Sequence, residues 1–185
     1  MKGTTRSLLA ACSIVGAMAG VLLAADPPKV GERAPDFQLQ MLTGRSVRLS
    51  DLTSEGKVVL IVLRGWPGYQ CPICTAQVHD YVRSAPGFAE AKARVVMVYP
   101  GPAENLKAHA SEFLQDKQWP KEFIYLIDPD YTMVNAYGLR WDAPRETAYP
   151  STFILDRGGT VRFAKVSRSH GDRTKASDIL LQLKR

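Results

Sequence analysis

The stretch Lys57–Arg64 reads KVVLIVLR, six consecutive aliphatic residues held between a lysine and an arginine. It has no polar face. A strand with one side in water would alternate, and an amphipathic helix would repeat every third or fourth residue. An unbroken β-branched run this short is a strand buried on both sides, the kind found in parallel sheets with helices on each face. Arg94–Tyr99 (RVVMVY) has the same character, and Phe123–Ile127 supplies a third strand. Between them lie helical patterns. Cys74, Val78, Tyr81 and Val82 fall on one face, as do Leu106, Ala110, Phe113 and Leu114, with Gly101 and Pro102 opening the second helix.

The flanks complete an α/β pattern. Phe37–Met41 alternates, Thr43-Gly44 turns, and Val47–Leu49 returns, which predicts an N-terminal hairpin. Asp128-Pro129 is read as the cap of a short helix that runs to Tyr137 and ends at Gly138. Ser151–Leu155 and Thr160–Val166 flank Arg157-Gly158-Gly159 as a second hairpin, and a final helix turns Ala176, Ile179, Leu180 and Leu183 inward. Residues 26–185 are enough for one domain with a sizeable core.

Residues 1–25 read as a signal peptide or an N-terminal anchor. Lys2 and Arg6 form a basic start, Ser7–Ala25 is uncharged, and Leu23-Ala24-Ala25 offers small residues before Asp26. The uncharged run is about long enough to span a bilayer, so retention as a membrane tether stands beside cleavage. Leu9-Ala10-Ala11-Cys12 resembles a lipoprotein box, but too few apolar residues precede Cys12. The expected location is therefore exported, periplasmic or otherwise extracytoplasmic. The net charge of +6 is mild and does not call for nucleic acid. From Arg157 onward eight Lys or Arg stand against two Asp, read as a solvated face rather than a site for an acidic partner or lipid.

Of three cysteines, Cys12 belongs to the leader, leaving Cys71-Pro72-Ile73-Cys74. A bridge closing so short a loop removes little unfolded-state entropy, so redox chemistry is a better use than stapling. The pair follows a buried strand and begins a helix. Free amides and the helix dipole there favour a thiolate, and Pro72 fits the first helical position. A spacing of three brings the sulfurs within bridging reach, so the dithiol can close to a redox-active disulfide and reopen.

Val30–Phe37 (VGERAPDF), Leu49–Leu52 (LSDL), the strand with its Cys-x-x-Cys, Tyr137-Gly138, and Pro150–Asp156 (PSTFILD) with Gly158-Gly159 together resemble the redoxin branch of the thioredoxin superfamily, which includes the AhpC/TSA proteins. The likeness spans nearly all of residues 30–165. It implies a thioredoxin-like fold, a central mixed β-sheet flanked by helices, and peroxiredoxin-like antioxidant chemistry with no cofactor beyond the thiols. Within that family the subtype divides. Pro67 and its spacing match the peroxiredoxin pattern, and on that register Cys74 attacks peroxide and Cys71 resolves. Helix-end electrostatics instead favour Cys71, and of the two arguments the register leads, so sulfenic acid is expected on Cys74. Where peroxiredoxins carry an arginine before a late strand, this chain has Pro150, like the cis-proline of thioredoxin-like disulfide reductases, which would face the thiols. Arg64 is the nearest replacement for that arginine.

The reading is an exported thiol oxidoreductase cycling Cys71 and Cys74, with Pro67, Arg64 and Pro150 in support. Its partners are a hydroperoxide or a protein disulfide as substrate and an external thiol or dithiol as electron donor. Protein disulfide reduction is the enzyme alternative, and copper delivery the alternative that is not an enzyme. The resemblance counts against copper, because the spacing is one residue short and the late position holds Ala148 or a neighbour, not histidine. No metal site is expected. His79, His109 and His170 are read as solvent-facing, and Trp66 and Tyr69 either line a substrate groove or cover the sheet end.

Overall fold

The run Lys57–Val62 forms a strand (β3) with Val58 through Val62 fully buried, because alternate side chains enter different cores. The computed structural model describes residues 25–185. Ahead of β3 lie β1 (Gln38–Met41), β2 (Ser46–Arg48) and helix α1 (Leu49–Glu55). After it come α2 (Pro72–Arg83), α3 (Ala85–Glu90), β4 (Ala93–Gly101), α4 (Leu106–Leu114) and β5 (Ile124–Pro129). The chain ends with α5 (Thr132–Ala136), β6 (Ser151–Leu155), β7 (Val161–Val166) and α6 (Ala176–Leu183). The strands make one mixed sheet in the order β2-β1-β5-β4-β3-β6-β7.

The two aliphatic runs are parallel neighbours, with Val59 opposite Val95 and Ile61 opposite Met97, and β5 extends the parallel centre. Antiparallel hairpins finish both edges. Val59, Ile61 and Leu63 pack with Val78 and Tyr81 of α2 and Ile179 of α6. Val58, Leu60 and Val62 pack with Leu52 of α1 and Met133 and Val134 of α5. Each such side chain contributes roughly 1.5–3 kcal/mol by leaving water. The expected mixed sheet flanked by helices, with its N-terminal hairpin, is what forms.

Two boundaries differ from the sequence reading. Gly101 does not open a helix: Pro100 and Gly101 continue β4 opposite Asp128 and Pro129, and α4 starts only at Leu106. Likewise Asp128 and Pro129 close β5, while the Asp128 carboxylate reaches forward and accepts the amides of Met133 and Val134, both at 2.9 Å. It caps α5 from the strand end, which satisfies two donors that lack a helical partner. The short helices α1 and α3 were not anticipated. Gly138 ends α5 at a φ of +61°, and the backbone of Ala25 and Asp26 lies so close that a Cβ there would overlap it. The leader residues Lys2, Arg6, Cys12, Leu23 and Ala24 lie outside the described residues.

Candidate active site

Past Leu63 the chain must turn over the carboxyl end of β4. Gly65 makes the turn at a φ of +74°, and Trp66 donates its amide to the Pro100 carbonyl at 2.9 Å. Pro67 and Gly68 form the bend that follows. Trp66 stacks on His109 of α4 at 3.6 Å between ring centroids. Gln70 accepts from the Tyr99 hydroxyl at 2.9 Å and donates to the His109 carbonyl at 2.9 Å. The loop is thus fastened to β4 and α4 before it delivers Cys71.

Cys71 is the N-cap of α2, with extended backbone, and Pro72 takes the first turn. The Cys74 amide donates to the Cys71 sulfur at 3.4 Å. Cys71 is 3% exposed and Cys74 0%. The two thiols diverge in acidity. The Cys74 thiol, donating to the Cys71 sulfur, draws the Cys71 pKa down to about 5 against the opposing effect of burial. The Cys74 amide, the Arg173 charge and Arg64 add to the lowering. Cys74 moves upward, first from burial and then from its hydrogen bond to Cys71. One sulfur is therefore prepared as a thiolate and its neighbour holds the proton.

Arg173, on the segment between β7 and α6, was not found in the sequence. Its guanidinium stands 3.4 Å from the Cys74 sulfur and 3.9 Å from that of Cys71. It is held by Gln77 Oε1 at 3.0 Å and by the His170 carbonyl at 2.8 Å. The solvated reading of the basic C-terminal stretch fits Arg157, Arg162 and Arg168, which are exposed, and fails at Arg173, which is half-buried. No local motif marks it. Gln77 was findable as the inward residue one turn after Cys74.

Arg64 departs from the role of the missing arginine in that, besides supporting the Cys71 sulfur, its guanidinium is engaged with other partners. It is 2% exposed: Nε pairs with Glu146 Oε2 at 2.7 Å, another nitrogen donates to the Arg145 carbonyl at 2.6 Å, and a third donates to the Tyr69 hydroxyl. The other Glu146 oxygen lies 2.8 Å from His170 Nε2. Arg64 thus anchors the loop that carries Glu146, and its carbonyl accepts from Thr147. Pro150 departs from expectation too. Its peptide bond is trans, as is every other among the described residues. The Tyr149 amide donates to Leu139 and the Pro150 carbonyl accepts from Ser167, holding the backbone on both sides. His79 is exposed as expected, whereas His109 and His170 are engaged as described. Tyr69 is 43% exposed and Ile73 39%.

A match to the AhpC/TSA family spans residues 30–164. The chain belongs to that family. It is 29% identical over 137 residues to peroxiredoxin Bcp of Bacillus subtilis (strain 168), covering 71% of this chain and 80% of the relative. It is also 29% identical over 134 residues to the thiol-disulfide oxidoreductase ResA of Geobacillus thermodenitrificans (strain NG80-2), covering 72% and 67%. Among solved structures, peroxidoxin BcpB from Mycobacterium tuberculosis superposes with a TM-score of 0.66 at 26% identity, covering 85% of this chain and 97% of that one. The protein is a thiol oxidoreductase of this family.

The acidity of Cys71 has two measurable consequences. Alkylation of Cys71 by iodoacetamide should stay near its full rate down to about pH 6 and fall only as pH approaches 5, where an ordinary thiol is already slow below about pH 8.5. Its folded pKa lies below its unfolded value. The stability it confers is present above the unfolded pKa and is lost as pH falls through about 5. The melting-temperature advantage of the reduced protein over Cys71→Ser should therefore grow from about pH 5 to about pH 8.5. A constant or shrinking advantage would contradict the assignment.

Proposed function

We propose that this chain is an exported hydroperoxide reductase that attacks with Cys71 and resolves with Cys74. The observation that carries the reading is the helix-capping Cys71 sulfur, prepared as a thiolate, with a second thiol and a guanidinium beside it. The Cys71 thiolate attacks the terminal peroxide oxygen, giving a sulfenic acid and releasing an alkoxide that leaves as the alcohol. Cys74 then attacks the Cys71 sulfur and expels the hydroxyl as water, closing the disulfide. An external thiol or dithiol returns two electrons and two protons. The basic and uncharged character of residues 1–25 supports an exported location, with the leader either removed or kept as a tether.

Protein disulfide reduction is the second reading. Tyr69 and Ile73 support it, since Ile73 lies between the two cysteines and both side chains present apolar surface suited to a polypeptide. A guanidinium against both sulfurs opposes copper delivery, because it repels a cation at the same site. Residues 26–185, assayed side by side with a dithiol donor, should consume hydroperoxide catalytically. Insulin reduction without peroxide turnover would move the assignment to the second reading. Tight stoichiometric copper binding with neither activity would remove both. Sequencing the N-terminus of protein from its native host tests export, and recovery of a cytosolic chain beginning at Met1 would refute it.

A further inference from the structure

Arg173 contacts two sulfurs, and the chemistry uses them at different times. The first step needs only Cys71 as an anion. That sulfur already has the Cys74 thiol, the Cys74 amide and the helix end as partners. The second step needs Cys74 to give up its proton in a fully buried position. When Cys71 carries an adduct it no longer offers Cys74 an anionic acceptor, and the Cys74 sulfur is left to its surroundings. The cation in contact with it is Arg173, at 3.4 Å, nearer than Arg173 stands to Cys71. The Arg64 backbone also favours an anion at Cys74, by less than the Arg173 charge does, and the nearby phenols of Tyr99 and Tyr125, raised by burial, stay neutral.

The guanidinium is also preset for this task. Gln77, three residues after Cys74 on α2, accepts from the same Arg173 nitrogen that meets the Cys74 sulfur. The His170 carbonyl accepts from Nε at 2.8 Å. The segment bearing Arg173 is itself clamped: Ser167 donates to the Asp172 carbonyl, Lys165 pairs with Asp172 at 2.7 Å, and Asp80 of α2 accepts the Ala176 amide at 2.8 Å. A side chain held at two points, on a clamped segment beside a buried thiol, loses little entropy when the charge appears there.

We propose that Arg173 is a catalytic residue of the resolving step, whose guanidinium supports the Cys74 thiolate as it attacks the adduct on Cys71. The proposal rests on the reading that Cys71 attacks first. In disulfide exchange the balance is simple. The Cys71 thiolate displaces one thiolate from an added disulfide and becomes a mixed disulfide. Cys74 then loses its proton to solvent, attacks the Cys71 sulfur and displaces the second thiolate.

Dithiodipyridine is a neutral disulfide that reads both steps, since each displacement releases one absorbing thiopyridone. With the reduced protein and reagent in excess, stopped-flow absorbance should show a first phase proportional to reagent and a second phase independent of it. In Arg173→Gln the second phase should slow by about tenfold or more at pH 7, beyond any slowing of the first. Arg173→Lys should recover part of the rate, because it keeps the charge and loses the fork. A second phase in Arg173→Gln within twofold of the parent, in protein with an unchanged melting temperature, would overturn the proposal. Should Arg173→Gln melt earlier, the ratio of the two phases in Arg173→Lys decides in the same way: slowing confined to the second phase supports the proposal, and equal slowing of both overturns it. Cys74→Ser should release one thiopyridone and stop. If Cys71→Ser instead keeps the fast first phase, the order of attack falls, and that outcome is separate from the effect of Arg173.

Discussion

Cys71→Ser should abolish turnover of peroxide or disulfide, while Cys74→Ser should arrest the protein after its first attack. Exposed to mild hydroperoxide, Cys74→Ser should accumulate a dimedone-reactive sulfenic acid on Cys71, and Cys71→Ser should form little adduct on Cys74. The expected loss is on the order of a thousandfold in Cys71→Ser, the scale typical when a catalytic nucleophile is removed. The physical reason is the split in acidity. Cys71 sits on the helix cap with its pKa lowered to about 5, and Cys74 is buried with its pKa raised. At neutral pH the nucleophilic form therefore resides on Cys71. Mass spectrometry of the two adducts checks this directly. Adduct confined to Cys74 would restore the order that the spacing from Pro67 suggests.

The second large effect is on stability. Gly65→Ala should cost about 3 kcal/mol or more, seen as a lower denaturation midpoint with an unchanged slope. Two penalties act together. The φ of +74° disfavours any L side chain, and a Cβ at Gly65 would sit inside the Pro100 carbonyl. That carbonyl is the acceptor for Trp66, so relief would break the contact that turns the loop toward Cys71. Gly44→Ala is the matched comparison. It has a similar φ of +87° but no heavy atom near its Cβ position, so it carries the backbone cost alone, about 1 kcal/mol. Equal losses in the two variants would show that the clash with Pro100 is relieved cheaply.

The sheet was legible because its central strands are buried on both faces, which leaves an unbroken aliphatic run in KVVLIVLR and RVVMVY. Helices α2, α4 and α6 were legible through their one-sided apolar spacing. The strand ends were not. Pro100-Gly101 and Asp128-Pro129 carry helix-opening chemistry, yet the parallel pairing of β4 with β5 keeps both in the sheet. At the site, Cys71 and Cys74 are adjacent in sequence and declare themselves. Arg64 was legible as a support, but its pairing with Glu146 was not, because that residue lies far along the chain. Arg173 was invisible for the same reason: a single arginine in a basic stretch carries no signal until the fold brings it to the sulfurs.

Those separations bear on when the protein becomes reactive. Arg173 meets Cys74 across 99 residues and Cys71 across 102, and Arg64 meets Glu146 across 82. Contacts that close such long loops form late in folding, since their entropy must be met before they contribute. Only when β7 and the segment after it have docked does Cys71 acquire its full acidity. The acidity of Cys71 is therefore built in two stages, a larger local share from Cys74 three residues away and a smaller share that arrives only with the completed domain.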